Sequence, residues 1–244
     1  MMMLKKTSLV QQVKELLRER IHRSEFADGR IPPEAELARE LNVSRNTVRD
    51  ALSRLEAEGV VVRRHGAGTF VNQVGLMVKT RLQEITPYES LIRAYNHTPT
   101  VRLLETVNCL AGSLGSVLHC SPDVPILLVK KLFLADEQPV ILTETFIPRH
   151  LIQAPFTPDD LLKPVFEFLP RFCHQELAYF LTELTPMLAP DWVVKHLRLP
   201  PDSTAMIVFE EIGYNPNNEP LLKACSYFRD DFLRLRLIRQ PPAI

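Results

Sequence analysis

The segment from Leu37 to Val71 constrains the fold of this chain more than any other stretch. Apolar residues at helical spacing predict a first helix, which ends at the short turn Asn42-Val43-Ser44. A second helix is expected to start after Ser44, because a serine hydroxyl can accept a hydrogen bond from a backbone N–H of the first turn. Gly59 is suited to end that helix. Its apolar positions are Val48, Ala51, Leu52 and Leu55.

A small hairpin is expected after the second helix. Residues 60–64 and 69–72 have the composition of short strands, and His65-Gly66-Ala67-Gly68 forms the turn between them. Helix, tight turn, helix and hairpin together are the layout of a winged helix-turn-helix. An earlier helix, capped by Thr7 or Ser8, is predicted from the apolar stripe Leu9, Val13, Leu16, Leu17 and Ile21.

Polar residues at the start of the second helix indicate a DNA-binding role. Arg45 and Arg49 are four residues apart, so they share a helix face that lies opposite the apolar one. Asn46 and Thr47 lie beside them, and such side chains can bind base edges or phosphates in a major groove. The alternative is a solvated amphipathic helix with ordinary surface arginines. Three basic residues of the hairpin favour DNA binding: Arg63, Arg64 and His65.

The charge distribution agrees with this interpretation. The whole chain has no net charge, but residues 1–72 hold 13 Lys+Arg against 10 Asp+Glu, a net charge of +3. Residues 73–244 hold 16 against 19, a net charge of −3. The basic excess therefore lies on the segment with the helix-turn-helix pattern, as a partner with a phosphate backbone requires.

Length and composition exclude several classes of protein. A chain of 244 residues predicts one large or two modest domains. No apolar run is long enough for a membrane span, and the N-terminus lacks the apolar core and cleavage site of a signal peptide, so we expect a cytoplasmic protein with no membrane partner. The cysteines are scattered without a CxxC pair, which predicts reduced thiols, no metal site and no cofactor: Cys109, Cys120, Cys173 and Cys225.

The segment from Ile31 to Val71 resembles the GntR family of bacterial transcriptional regulators. The matching residues, at the spacing of the family, are Pro32, Glu34, Leu37-Ala38, Val43-Ser44-Arg45, Thr47-Val48-Arg49, Ala51-Leu52, Leu55, Glu58-Gly59, Gly66, Gly68 and Thr69-Phe70-Val71. The resemblance implies that four helix residues meet the major groove, Arg45, Asn46, Thr47 and Arg49, and that His65 and Gly66 approach the minor groove or the backbone.

The rest of the chain alternates differently and predicts a second domain. Strands are expected at residues 101–109, 125–134, 140–147, 176–185, 205–214, 220–228 and 232–239. Helices are expected at residues 86–95, 111–118, 158–168 and 191–197. We predict a DNA-binding domain at residues 1–72, a linker and entering strand at residues 73–85, and an α+β domain with an antiparallel sheet at residues 86–244.

This second domain resembles the UTRA ligand-sensing domain of the HutC subfamily of GntR regulators. The matching pieces are residues 135–140, Thr143-Glu144 with Pro148, the strand around Glu210, and residues 227–230 with Phe232. The resemblance implies a chorismate-lyase-like fold, which dimerises and binds a small metabolite in a polar pocket between strands.

The resemblance also constrains the effector. Members that bind sugar phosphates use two arginines where this chain has Lys131 and Phe133. Where those members have a small hydroxyl residue near the start of the first helix, this chain has Glu89, with Ser90 beside it. A carboxylate repels phosphate, and a phenyl ring cannot replace a guanidinium fork, so we expect an effector that is not a sugar phosphate but a carboxylate, an amine or a metabolite with an apolar body. Glu144 is a further candidate with Lys131 as its partner across a hairpin. The remaining effector-binding candidates are Glu210 and Tyr227.

Together these patterns predict a cytoplasmic, homodimeric regulator of transcription. We expect it to bind a double-stranded operator of two-fold symmetry and to be a repressor that a small-molecule effector releases. The alternative of a different class is an enzyme, in which a chorismate-lyase-like domain is fused to the DNA-binding module. A DNA-bound structural protein without a ligand is the third possibility.

Overall fold

The computed structural model describes residues 8–76, 85–200 and 204–229. The chain divides into two compact units, and their described parts are residues 8–76 and residues 85–229 without 201–203. The division falls within residues 77–84, which lie outside the described ranges. The predicted domain boundaries therefore stay predictions. The described start of the predicted linker is a short helix, Gln73–Leu76, and not a strand.

The N-terminal unit is built on three main helices and a small sheet. The helices are α1 (Leu9–His22), α2 (Glu34–Glu40) and α3 (Arg45–Ala57), and the strands are β1 (Arg30–Ile31), β2 (Val61–Arg64) and β3 (Gly68–Val71); Gln73–Leu76 is α4. The strand order is β1-β3-β2. The predicted helices and hairpin are confirmed, but β1 was not predicted, because two residues carry no periodic pattern.

Both predicted ends of α3 are confirmed. The Ser44 hydroxyl accepts a hydrogen bond from the Thr47 backbone N–H at 3.0 Å. The helix ends before Gly59, whose positive φ of 70° suits glycine because this residue lacks a Cβ. The chain then turns directly into β2. This fixes the angle between α3 and the hairpin.

The apolar faces of the helices meet in one core. Leu17 of α1 and Leu37 of α2 are fully buried against the apolar face of α3. The predicted stripe of α1 is only partly correct, because Leu9 and Leu16 are exposed. They lie at the edge of the apolar face, where much of each side chain is open to solvent.

The C-terminal unit combines strands and short helices, as expected for the α+β class. The strands are β4 (Pro99–Leu110), β5 (Pro125–Ala135), β6 (Gln138–Pro148), β7 (Tyr179–Leu188), β8 (Ala205–Tyr214) and β9 (Pro220–Phe228). The helices are α5 (Tyr88–Ala94), α6 (Leu114–Val117), α7 (Pro158–Leu162), α8 (Val165–Phe168) and α9 (Asp191–Leu197). The described strands form one antiparallel sheet in the order β4-β5-β6-β9-β8-β7.

Alternation along the strands divides side chains between two faces of this sheet. Lys131 is paired in register with Thr143, and Thr143 with Ser226, so all three point to one face, here called the Lys131 face. Lys130 is paired with Glu144, which defines the opposite, Glu144 face.

Different elements cover the two faces. Apolar residues of α5 pack on one part of the Lys131 face, and those of α7, α8 and the turn after α8 pack on another part. Helix α9 packs on the Glu144 face, where Val193 and Leu197 are fully buried.

Three predicted elements differ from the structure or lie outside it. The helix expected at residues 158–168 is broken into α7 and α8 at Lys163, which is extended because it precedes Pro164. The strand expected at residues 176–185 begins later, at Tyr179. The closing strand expected at residues 232–239 lies outside the described residues.

A search of the described helices finds none with both the length and the apolar character needed to cross a membrane.

Neighbouring leucines of α1 provide a test of this core. We expect Leu17→Ala to lower the free energy of unfolding of the N-terminal unit by about 2–5 kcal/mol, because the side chain is fully buried. Leu16→Ala is the matched control and should change it by roughly 0.5 kcal/mol or less. Urea unfolding followed by circular dichroism at 222 nm measures both variants. Equal losses would contradict the assignment of the buried face.

Candidate DNA-binding surface and effector site

The first turn of α3 presents the residues that were predicted to bind DNA. Arg45, Asn46 and Arg49 are exposed, whereas Thr47 is half-buried. The Thr47 hydroxyl lies 2.8 Å from the oxygen of the capping Ser44. The cap therefore orders the same turn that carries the exposed polar groups.

Arg45 and Arg49 share a face and meet one carboxylate. The Nε atoms of both lie 3.3 Å from Oε2 of Glu34, the first residue of α2. Their side chains keep relative exposures of 64% and 49%. Because exposed ion pairs contribute little free energy, both guanidinium groups can exchange Glu34 for a nucleic acid.

Arg63 connects the hairpin to α3. Its Nη2 donates to Ser53 Oγ at 3.0 Å and to the Arg49 carbonyl oxygen at 3.4 Å. Its backbone N–H donates to Glu56 Oε1 at 3.2 Å. Arg63 was predicted to contact DNA, but these bonds engage its guanidinium within the unit. They link the hairpin to α3, and a DNA contact by Arg63 stays a prediction.

The tip of the hairpin is open to an approaching partner. The guanidinium of Arg64 lies 4.7 Å above the Phe70 ring, and the residue remains exposed. His65 is also exposed. At Gly66 the φ angle is +72°, and no atom lies within 4 Å of the place where a Cβ would be. Backbone and basic side chains are therefore accessible together.

On the C-terminal unit, buried polar residues concentrate on the Lys131 face. Of the six buried polar residues in the described ranges, four lie there. Lys131, Thr143 and Ser226 form one cross-strand row, and Thr145 lies in the next row. This second row continues through Ala224 to Glu211. Together with Tyr88 from α5, the polar residues of the two rows are here called the polar seam, because apolar clusters flank them.

Lys131 is the buried cation of the polar seam. Its Nζ donates to the Lys163 carbonyl oxygen at 2.8 Å and lies 5.6 Å from the centre of the Phe133 ring. Burial lowers the pKa of Lys131 to about 8, and the nearby Glu89 carboxylate opposes this shift. An ammonium group has three donors, so Lys131 can bind a further acceptor.

Tyr88 of α5 packs over the polar seam. Its hydroxyl donates to Ser226 Oγ at 2.8 Å. Its ring makes edge contacts with Phe133 at 5.2 Å and Phe228 at 5.6 Å between ring centres. Burial, and then the charge of Glu211, raise the pKa of Tyr88, so the hydroxyl stays protonated and able to donate.

Two polar groups of the seam are incompletely satisfied. Glu211 accepts a hydrogen bond from Thr182 Oγ1 at 2.9 Å, and burial raises the pKa of its carboxyl. No Lys, Arg or His within the described ranges forms an ion pair with it. Thr143 is only 4% exposed, and its Oγ1 has no hydrogen-bond partner among the same residues.

The predicted pair of Glu144 with Lys131 is wrong. Register places Glu144 opposite Lys130, whose Nζ lies 3.4 Å from Glu144 Oε1. The Tyr227 hydroxyl donates to Glu144 Oε2 at 3.0 Å. On the same face, Glu210 accepts a hydrogen bond from Lys223 at 2.9 Å. These carboxylates are already paired within the protein.

The predicted effector-binding residues therefore do not form one site. Lys131, Phe133 and Glu89 lie together at the polar seam, whereas Ser90 of α5 is exposed. The sheet separates this group from the other three candidates, which lie on the Glu144 face: Glu144, Glu210 and Tyr227.

Sequence reasoning missed most of the polar seam. The only available signal was alternation from Lys131 through the hairpin. A register shift between Phe133 and Leu134 makes counting through the turn unreliable. The missed residues are Tyr88, Thr143, Thr145, Glu211 and Ser226.

In the described part of the chain, no group of three or more His, Cys, Asp or Glu side chains is arranged to hold a metal ion.

The hydroxyls of the polar seam have opposite expected effects on stability. Thr143→Val should raise the free energy of unfolding by roughly 1 kcal/mol, because it removes a buried hydroxyl that lacks a partner. Ser226→Ala should lower it by roughly 1–3 kcal/mol, because it leaves the Tyr88 hydroxyl unpaired. Urea unfolding followed by the fluorescence of the single tryptophan, Trp192, measures both. Destabilisation by Thr143→Val would show that this hydroxyl has a partner.

Two models of known protein families match this chain, one over each of its two units. The family model of the gntR family of bacterial regulatory proteins matches residues 9–71. The model of the UTRA domain matches residues 80–234, more than half of the chain.

Two curated relatives from Bacillus subtilis (strain 168) are transcriptional regulators. GmuR is 33% identical over 138 residues, which span 55% of this chain and 57% of GmuR. The repressor NagR is 25% identical over 222 residues, which span 90% of each protein. The crystal structure of the possible regulator YydK, from the same species, has a TM-score of 0.70 at 16% identity and covers 96% of this chain and 99% of that one. YydK therefore shares the fold.

These matches favour a regulator over the enzyme alternative, because the matching family and both relatives are regulators of transcription. The chain belongs to the GntR family of bacterial transcriptional regulators and carries a UTRA effector-binding domain.

Proposed function

We propose that this regulator is a repressor that binds a two-fold operator and is released by a small-molecule effector. The observation that carries the proposal is the exposed, capped first turn of α3, where Arg45 and Arg49 project on one face. Helices of this kind insert their N-terminal residues into a major groove. The relative NagR is named a repressor, which supports the direction of control.

Within this proposal the DNA-binding residues have separate roles. Arg45, Asn46 and Arg49 contact base edges or phosphates, and Thr47 supports their turn through the cap. Arg64, His65 and Gly66 approach the DNA from the tip of the hairpin. Arg63 maintains the angle of the hairpin relative to α3.

The effector site is proposed at the polar seam of the Lys131 face. Buried polar groups cost free energy unless they are hydrogen-bonded, and here several lie together between apolar clusters. A small molecule that completes their hydrogen bonds would bind there. Release from DNA then requires only that the molecule bind one arrangement of the protein more tightly than the other.

Two arginines of α3 provide a matched test of the DNA-binding surface. Arg49→Ala should weaken binding to an operator selected from random DNA by about 1–3 kcal/mol if the side chain forks to a guanine. Arg54→Ala removes an exposed arginine near the other end of the same helix. This control should have a smaller effect. Fluorescence anisotropy at fixed salt measures both, and equal affinities of the Arg49 variant and the unchanged protein would remove Arg49 from the DNA-binding residues.

A homodimer is part of the same proposal, because a two-fold operator is matched by two copies of the protein. Strand β7 is at one edge of the described sheet and exposes Leu181, Leu184 and Leu188. An exposed apolar edge strand can pair with a second copy. We therefore place the dimer contact on β7.

The dimer contact can be tested by charge insertion. The double variant Leu181→Lys and Leu184→Lys should shift the chain from dimer to monomer in sedimentation velocity, because two cations would be buried without partners. Val107→Lys, on the opposite edge strand β4, is the control. A dimer that persists in the double variant, or is lost in the control, argues against β7.

A further inference from the structure

We propose that the effector carries a protonated amine, which the Glu211 carboxylate binds at the polar seam. This inference rests on the proposed effector function of the seam and adds the chemical class of the ligand. It is carried by two separate observations, the Glu211 carboxyl that forms no ion pair among the described residues and the Thr143 hydroxyl that lacks a hydrogen-bond partner.

The first observation is a contrast between neighbouring carboxylates. Glu210 is paired with Lys223 at 2.9 Å, and Glu144 with Lys130 at 3.4 Å. Glu211, the next residue along β8, points to the other face, and its only hydrogen bond among the described residues comes from the neutral Thr182 hydroxyl. A half-buried carboxylate is stabilised by an opposite charge, and a ligand amine would supply one.

The second observation is the hydroxyl of Thr143. It is buried, it faces the seam and no described group bonds to it. Its register partner Ser226 accepts the hydrogen bond of Tyr88, and Tyr88 in turn lies within the electrostatic reach of Glu211. The hydroxyl without a partner and the carboxylate without an ion pair therefore lie on one face of the sheet, in neighbouring rows and two strands apart.

The charge balance of the seam favours a cation. Its charged groups are Glu211 and Lys131, and the nearby Glu89 adds a second carboxylate, so the three sum to −1 when all are ionised. Ala224, between Thr145 and Glu211 in the second row, is buried and has the smallest side chain of that row. A compact amine could reach Glu211 there, while other polar groups of the ligand face Thr143 and Lys131.

The test is a thermal-shift screen of the full-length protein. The library consists of primary amines and their neutral counterparts, including glucosamine with glucose, putrescine with 1,4-butanediol and tyramine with 4-ethylphenol, together with the anion glucose 6-phosphate. At least one amine should raise Tm, and its neutral counterpart should raise it less. The same amine should release operator DNA in the anisotropy assay.

Adjacent isosteric variants decide whether Glu211 binds the amine. Glu211→Gln should weaken binding of the stabilising amine by roughly 10- to 100-fold, since a charge-assisted bond is lost. Glu210→Gln, one residue away on the opposite face, should leave it unchanged. Thr143→Val should also reduce the shift although the unliganded variant is at least as stable as the unchanged protein, which separates binding from folding.

The outcomes distinguish the inference from the function on which it rests. If no amine stabilises the protein, or if the shift survives Glu211→Gln, the amine assignment is overturned. If a neutral or anionic compound then stabilises the protein and releases DNA in a manner that depends on Thr143, the effector site stands without the amine. If no compound of any class does so, the proposed effector site falls as well.

Discussion

The register between β5 and β6 is the constraint on which the C-terminal unit depends. It places Lys131 opposite Thr143 and Lys130 opposite Glu144, and thereby decides which charged groups meet. A slip of one residue would exchange the two faces of the strand. Glu144 would then enter the polar seam, and Thr143 would face the paired carboxylates. The distribution of charge at the seam is thus a result of long-range strand pairing.

In the N-terminal unit, one face of α3 contributes to the stability of the fold, and the opposite face forms the surface proposed to bind DNA. The apolar face of α3 lies in a core with no exposed members, while the opposite face carries Arg45 and Arg49. Helix α3 is held at its start by Ser44, at its end by the turn at Gly59, and laterally by Arg63 of the hairpin. None of these three contacts uses the side chains of Arg45 or Arg49. The surface can therefore diverge in specificity while the fold is retained.

Sequence alone was enough for the helix-turn-helix and far less informative for the effector site. Ser44 and Gly59 act locally, so caps and periodicity predicted α3 almost to the residue. The seam depends on pairing between residues as distant as Tyr88 and Ser226, which no local pattern encodes. Glu144 illustrates the difficulty. Its apolar neighbours correctly predicted a strand, but the face to which it points follows from the register with β5 and β9.

The shared carboxylate of Glu34 has a consequence for how this regulator responds to salt. In the free protein it acts as a built-in counterion for two guanidinium groups, so fewer ions from solution need to accompany them. If Arg45 and Arg49 bind the operator as proposed, phosphate or base acceptors replace this internal anion. The carboxylate remains nearby as a fixed negative charge. On this proposal, fewer ions are released at the operator than a count of arginines suggests, and the salt dependence of binding is less steep.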